Sequence, residues 1–453
     1  MSETLNHLIE QAKSTLDANW LGQSTKPSPH LYPHQWNWDS GFIAIGYARY
    51  DQNRAQQELS SLFSAQWANG MLPQIVFNPD ALGSYFPEPD FWQAERSPNY
   101  PPGALTSGIT MPPLHAMAAL RVMQYATDGN AAREWLQDLY PRLVALHEYF
   151  YRDRDPQREG LVYIRHPWES GLDNSPTWDA PLKAMKIDKD KLPPYQRKDL
   201  KKGIPKSQRP SDEDYDRYVY LVDLFRRLDY DEQAIYRECP FLIQDPLLNS
   251  ILCKANEDLI EIGQALGEDT GQIQDWYDQT SRALREKLWH KRHGAFDVFD
   301  LYKGEPIGTL TAAGFMPLLC GAPTSEEAPI MCAFLDSHAY CTRKGTSQDQ
   351  RCFSIPNYNL VEGSELDTSH YWRGPVWINT NWLLLQGLRR YGIKGKADSV
   401  RADIIKLVES CGFHEYFDPY EGFGYGTDNF SWSAALFLDV ALEQEEGIHE
   451  LPG

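Results

Sequence analysis

The chain has 453 residues, of which 42% are hydrophobic and 23% charged, proportions of a folded chain that exclude global disorder. Its 43 Lys+Arg stand against 63 Asp+Glu, a net charge of -20. Nucleic acid and anionic membrane surfaces are therefore not expected as partners, because both require local positive charge.

No apolar run approaches the roughly 20 residues that span a bilayer. The opening MSETLNHLIEQAKSTLDANW lacks the basic region and following apolar stretch of a secretion signal. Seven cysteines are scattered singly with no CxxC pair. Neither a disulfide framework nor a structural zinc site is expected from them, and a reducing cytoplasm is the expected compartment. The excess lies in 14 Trp and 25 Tyr. Each offers a flat apolar face beside a hydrogen-bond donor, which suits sugar rings, although a large aromatic core would use the same residues.

Apolar residues recur at helical spacing through most of the chain. Leu5, Leu8, Ile9 and Ala12 share one helix face. The spacing predicts further helices over Leu114 to Tyr125, Trp135 to Tyr149, Asn249 to Leu266 and Ile273 to Leu288. Others follow over Val376 to Arg390, Ala397 to Val408 and Ser431 to Gln444. Gly160 to Ile164 is the one expected strand. Two long irregular stretches interrupt this pattern, 73–113 and 183–215. The first is rich in Pro, Asn, Tyr and Phe. The second is basic within an acidic chain. Loops of such length in a compact domain are functional or disordered; these are expected to cover a site. At roughly 150 residues per domain about three domains would fit, but no stretch resembles a linker. One all-α domain over 1–453 is expected.

Four segments concentrate chemistry. YPHQWNWDSGF, from Tyr32, sets Trp36 and Asp39 just before an apolar helix expected near Ile43. Asp39 is a good helix cap, but a carboxylate between Trp faces also suits sugar hydroxyls. PWESGLDNSPTWD carries Glu169, Asp173 and Asp179 in one loop with two Trp. Clustered, desolvated carboxyls raise one another's pKa, as a general acid requires; helix capping is the competing role. DTSHYWRGPVWINTNW places His370, Tyr371, Trp372, Arg373 and Trp377 before a helix, with Arg373 suited to pair with a carboxylate. HEYFDPYEGFGYGTDNFSW supplies Glu415 as the candidate second carboxylate. No phosphate loop, HExxH or GxSxG motif is present. Two acid-bearing aromatic loops more than 200 residues apart fit glycoside hydrolysis better.

Together these segments resemble glycoside hydrolase family 63 and, more loosely, the trehalase family of the same clan. At this compact length the chain is most similar to the bacterial mannosylglycerate and glucosylglycerate hydrolases. The resemblance runs from Tyr32 to Trp432. It implies an (α/α)6 toroid, six helical hairpins around a central pit, and a cofactor-free inverting α-glycosidase with no metal at its site. By resemblance Asp173 is the general acid and Glu415 the base that activates water. An inverting pair stands roughly 6.5–9.5 Å apart. Tyr32, Trp36, Asp39, Tyr371, Trp372 and Trp377 match sugar-lining positions. Arg209 and Tyr215, in RPSDEDY, match those that hold a glycerate carboxylate, a task to which the bidentate Arg fork is suited. One departure is Met111, in TSGITMPP, where these hydrolases carry Gln. A thioether cannot replace an amide toward a sugar hydroxyl.

The expected partner is thus a small sugar substrate, a short α-glucoside or α-mannoside with glucosylglycerate or mannosylglycerate foremost. A neutral α-glucosidase acting on a trehalose, kojibiose or sucrose type of disaccharide is the alternative. A catalytically silent sugar-binding protein on the same fold is a further one, and a homo-oligomer is left open.

Overall fold

The computed structural model describes residues 2–200, 204–341, 352–360 and 368–443. It is mainly helical. Among the described residues twelve helices have nine residues or more. They are α1 (Glu3–Asn19), α2 (Asn37–Ala48), α3 (Gln52–Ser64), α4 (His115–Gln124), α5 (Gly129–Asp153) and α6 (Asp212–Arg227), then α7 (Pro246–Leu266), α8 (Gly271–Ala283), α9 (Glu327–Leu335), α10 (Ile378–Arg390), α11 (Lys394–Cys411) and α12 (Ser431–Ala441).

The helices divide into two kinds by burial. Every residue of α2 and of α12 is buried, as is the 3-10 stretch Ala312–Leu318. A helix apolar on all sides must lie inside. In contrast α3 buries one stripe, Ala55, Glu58, Leu59, Leu62 and Phe63, and α8 buries Ile273, Trp276 and Thr280. The buried elements pack in sequence: α2 on α4, α4 on α7, α7 on Ala312–Leu318, that stretch on α10, α10 on α12, and α12 back on α2. The striped helices lie outside: α1 on α12, α3 on α2 and α4, α5 on α4 and α7, α8 on α7, α11 on α10 and α12.

The α2–α12 contact closes this cycle and is the tightest. A Cβ on Gly46 would come 2.4 Å from the Ala435 Cα, so only glycine fits. Asp439 of α12, fully buried, is satisfied by Arg49 at 2.8 Å and by the Trp382 indole N–H at 2.9 Å. It ties α12 to the end of α2 and to α10. The end of α1 meets the start of α12: the Asn19 amide donates to Asn429 O at 2.8 Å and to Ser431 Oγ at 2.9 Å.

The helices expected from periodicity are all present, with shifted ends. α2 begins at Asn37, not near Ile43, so Asp39 is inside its first turn and does not cap it. α8 continues through a π turn at Leu284–Leu288. Gln444, the expected end of α12, lies outside the described residues, as does Asp367, the start of the third motif. α6 intrudes on the expected 183–215 loop: Ser211 Oγ accepts from Asp214 N at 3.1 Å, and three acids fill the first turn, favourable at a helix N-terminus.

The expected strand at 160–164 does not form. Tyr163 N donates to Arg154 O, and the Asn249 side chain takes both the N–H and the carbonyl of Val162. A side chain thus satisfies the backbone that a ladder would otherwise pair. Only Ile164 makes a bridge, with Ile243. Among the described residues no helix is long and apolar enough to cross a membrane.

Candidate active site

Four buried helices begin at one place. Trp36 and Asp39 lie at the start of α2, Met111 shortly before α4, Tyr371 and Trp372 before α10, and Phe430 and Trp432 at the start of α12; all of them line a single cavity. Helix N-termini carry partial positive charge, which acts against the burial of the carboxyls gathered here without outweighing it. The short strand pair Gln35–Trp36 with Ile75–Val76 fixes the entry to α2.

Asp173 and Glu415 both line this cavity, although 242 residues separate them in the chain. The Asp173 backbone is held firmly. Tyr218 Oη donates to Asp173 O at 3.1 Å, the Trp178 indole donates to Leu172 O at 2.8 Å, and Asn174 Nδ2 donates to Tyr371 O at 3.1 Å. Gly171 turns the chain just before it with φ +73; a Cβ there would come 2.6 Å from the Trp38 ring. Burial, then the nearby Glu415 charge, push the Asp173 carboxyl up to about 7, where a protonated acid is available at neutral pH.

Glu415 is buried. Its Oε1 accepts from Tyr32 Oη at 2.8 Å and its Oε2 from Thr427 N at 3.3 Å. Burial raises its pKa, while Arg209 and the Tyr32 hydrogen bond pull the other way. Asp39 is a further carboxyl of the cavity. Burial, with Glu415 and Asp173 adding to it, holds it well above the ordinary range.

The other two acids of the Asp173 loop do different work. Glu169 is fully buried and takes Arg154 in a two-pronged pair at 2.7 and 3.0 Å, with Arg165 N at 2.8 Å. Burial opposes its charge, but Arg154 and Arg165 outweigh that and keep its pKa low. Asp179 is gripped by both Arg373 terminal nitrogens, one at 2.9 Å, as expected for Arg373. Neither acid lines the cavity.

Arg209 enters the cavity with 4% exposure. Its Nη1 donates to Tyr32 Oη at 3.2 Å, its guanidinium lies 4.7 Å from the Tyr371 ring centre, and its Nη2 stands 3.9 Å from Glu415 Oε2. Nε and Nη2 are buried and make no hydrogen bond. Tyr215, on α6, lines the same cavity, its hydroxyl donating to Phe86 O at 3.3 Å. The two irregular stretches meet here: the Tyr195 ring lies 5.5 Å from that of Phe86 and 5.7 Å from that of Tyr215, and Lys198 Nζ donates to Gly83 O at 2.7 Å.

Nine of the ten expected residues therefore face one cavity. Trp377 does not. It lies flat under Trp372, ring centres 3.5 Å apart and planes within 3°, and so supports the lining residue from behind. Trp372 itself has φ +59, a strained conformation for a bulky residue of the kind found at functional sites. Residues not anticipated also line the cavity, among them Gln74, Tyr85, Phe86 and Lys198. Gln74 Oε1 is buried without a partner, so the cavity holds an amide although position 111 carries Met. These residues come from irregular stretches, where no periodicity marks which side faces inward.

The family model for the mannosylglycerate hydrolase MGH1-like glycoside hydrolase domain matches residues 32–433. The mannosylglycerate hydrolase of Rubrobacter radiotolerans is 47% identical, covering 96% of this chain and 97% of its own. The glucosylglycerate hydrolase of Mycolicibacterium hassiacum is 35% identical, covering 97% and 98%. The crystal structure of a GH63 mannosylglycerate hydrolase from Thermus thermophilus, in complex with Tris and D-glycerate, matches with a TM-score of 0.87 at 42% identity, covering 95% of this chain and 99% of that one. Neutral trehalase from Saccharomyces cerevisiae shares the fold at a TM-score of 0.55 and 15% identity. The chain belongs to the mannosylglycerate hydrolase MGH1-like glycoside hydrolases of family 63.

Proposed function

We propose that this glycoside hydrolase cleaves mannosylglycerate or glucosylglycerate with inversion, Asp173 acting as general acid and Glu415 as general base. The observation that carries this reading is a single cavity holding Asp173, pushed up to about 7, together with Glu415 and the hydrogen-bond-free nitrogens of Arg209. Asp173 gives its proton to the glycosidic oxygen as the bond from the anomeric carbon to that oxygen breaks. Water attacks the opposite face of the same carbon and loses a proton to Glu415. Tyr32, Trp36, Asp39, Tyr371 and Trp372 surround the sugar, with Trp377 behind Trp372. Arg209 and Tyr215 take the glycerate carboxylate, since a charged bidentate donor pair is about twice as strong as a neutral one. The Thermus thermophilus enzyme is seen in complex with D-glycerate and with glucose, which supports a sugar and a glycerate subsite in this chain.

The same proposal covers architecture. The closed packing cycle of α2, α4, α7, Ala312–Leu318, α10 and α12, with striped helices outside it, supports an (α/α)6 toroid. One domain then spans 1–453, and the 73–113 and 183–215 loops cover the site. Initial rates test the substrate. Mannosylglycerate and glucosylglycerate are compared with trehalose, kojibiose and sucrose. Turnover of the acidic glycosides at least tenfold above the neutral ones is expected; equal or greater turnover of a neutral disaccharide would overturn the glycerate assignment.

A further inference from the structure

The geometry points to a transition-metal site, distinct from the cavity, formed by His290, His293 and Asp297 and suited to Zn2+. Among the described residues these three bring one ligand atom each to within 4.8 Å of the others. They lie on a hairpin, Trp289–His290 paired with Ala295–Phe296. Its turn is closed by His293 N and Gly294 N, both bonding to His290 O at 3.0 Å. Gly294 has φ +59, which lets the turn fold the two imidazoles together, ring centres 3.9 Å apart.

Asp297 supplies the third group. It is 4% exposed. Its Oδ1 is occupied by Val298 N at 2.8 Å and Gly308 N at 3.1 Å. Its Oδ2 is buried and has no hydrogen-bond partner, and neither has His293 Nδ1; these two atoms face each other at 3.8 Å. A buried carboxylate oxygen left unbonded costs free energy, and a cation between the two atoms would satisfy both. At Zn–ligand lengths of about 2.1 Å, tetrahedral ligand atoms stand about 3.4 Å apart. The trio must therefore close by no more than ~1.4 Å per pair, within reach of side-chain rotation. Two imidazoles and one carboxylate favour Zn2+ and its first-row neighbours over Mg2+ or Ca2+, which prefer all-oxygen sets. The half-exposed histidines leave the fourth position to water.

The ion would pin the hairpin on which Ala312–Leu318 is seated, since a Cβ on Gly314 would come 2.6 Å from Phe296 O. Its role is structural. The test uses the tag-free full chain, stripped with chelator, dialysed against Zn2+ and assayed for retained metal. One tightly held equivalent is expected in the wild type and none in the His290→Ala, His293→Ala double variant. No retained equivalent in the wild type, or an undiminished one in the double variant, would overturn the site. His293→Gln, at the half-exposed side of the turn, serves if the double variant misfolds; at least tenfold weaker Zn2+ binding is expected, and unchanged binding would contradict the assignment.

Discussion

Tyr32 donates a 2.8 Å hydrogen bond to Glu415 Oε1 across 383 residues of chain, and Arg209 Nη1 in turn donates to the Tyr32 oxygen at 3.2 Å. The relay orients the proposed base and polarises the phenol toward it. A hydrogen bond to a charged group contributes about 1.5–3 kcal/mol. Tyr32→Phe is therefore expected to lower kcat roughly 10- to 100-fold. It also removes a group that favours ionised Glu415, so the acidic limb of the rate profile should move to higher pH. A wild-type limb position in that variant would show that the phenol does not act on the base.

The carboxyl pair itself makes a sharper demand. Asp173→Asn and Glu415→Gln are each expected to lower turnover by about 10²- to 10⁴-fold with an unchanged circular dichroism spectrum. Glu169 and Asp179 are already committed to arginines, so neither can substitute. Wild-type-like turnover in either variant would mean that the roles are misassigned.

Arg209 should act on binding as well as on the base beside it. Arg209→Ala removes the cation with buried, unbonded nitrogens, and the KM for an acidic glycoside is expected to rise more than tenfold. Arg209→Lys restores charge without the fork and should recover only part of that loss. An unchanged KM in Arg209→Ala would remove this residue from the glycerate subsite.

The pH dependence has a definite sign. Asp173 must be protonated to act, and burial with Glu415 pushes it up to about 7. Activity is expected to fall on the alkaline side through about pH 7, tenfold per unit beyond it. Glu415 must be ionised, and its pKa is raised by burial, so the acidic limb should lie above the ordinary glutamate value. The profile of kcat/KM reports both groups in the free enzyme.

Stability beneath the acid loop rests on a quartet of charges, buried except for Glu232 at its edge. Arg154 and Arg165 face Glu169 and Glu232, with Arg154 pairing to Glu169 at 2.7 Å and Arg165 Nη1 to Glu232. Charges balance two against two. Glu169→Gln would leave one buried cation uncompensated, at a cost of about 3–5 kcal/mol. A clear fall in the denaturant midpoint is expected; a midpoint unchanged within error would contradict a supporting role for this pair.

Much of this candidate site is legible in the sequence, because its residues sit in contiguous motifs next to helix starts. Trp36, Asp39, Tyr371, Trp372 and Glu415 fall within a few residues of a buried helix or strand, so their composition alone marks them. Periodicity located helices such as α1 and α7 for the same reason that they fold: one apolar face or an apolar whole. Other features depend on contacts that no local pattern records. The closing of α12 on α2 needs Gly46 against Ala435. The 160–164 segment has strand-like composition, yet Asn249 takes its hydrogen bonds. Trp377 shares a motif with Trp372, and only packing decides which ring faces the cavity. Gln74 and Tyr85 lie where no repeat reveals direction.

The stereochemical course of hydrolysis decides whether Asp173 and Glu415 work as an inverting pair. Proton NMR of the first minutes of mannosylglycerate or glucosylglycerate hydrolysis resolves the anomeric signal before mutarotation. If Asp173 and Glu415 act as an inverting acid and base, the β-anomer of the released sugar appears first and the α-anomer only later. Early α-anomer would mean a covalent, retaining route and would contradict the account.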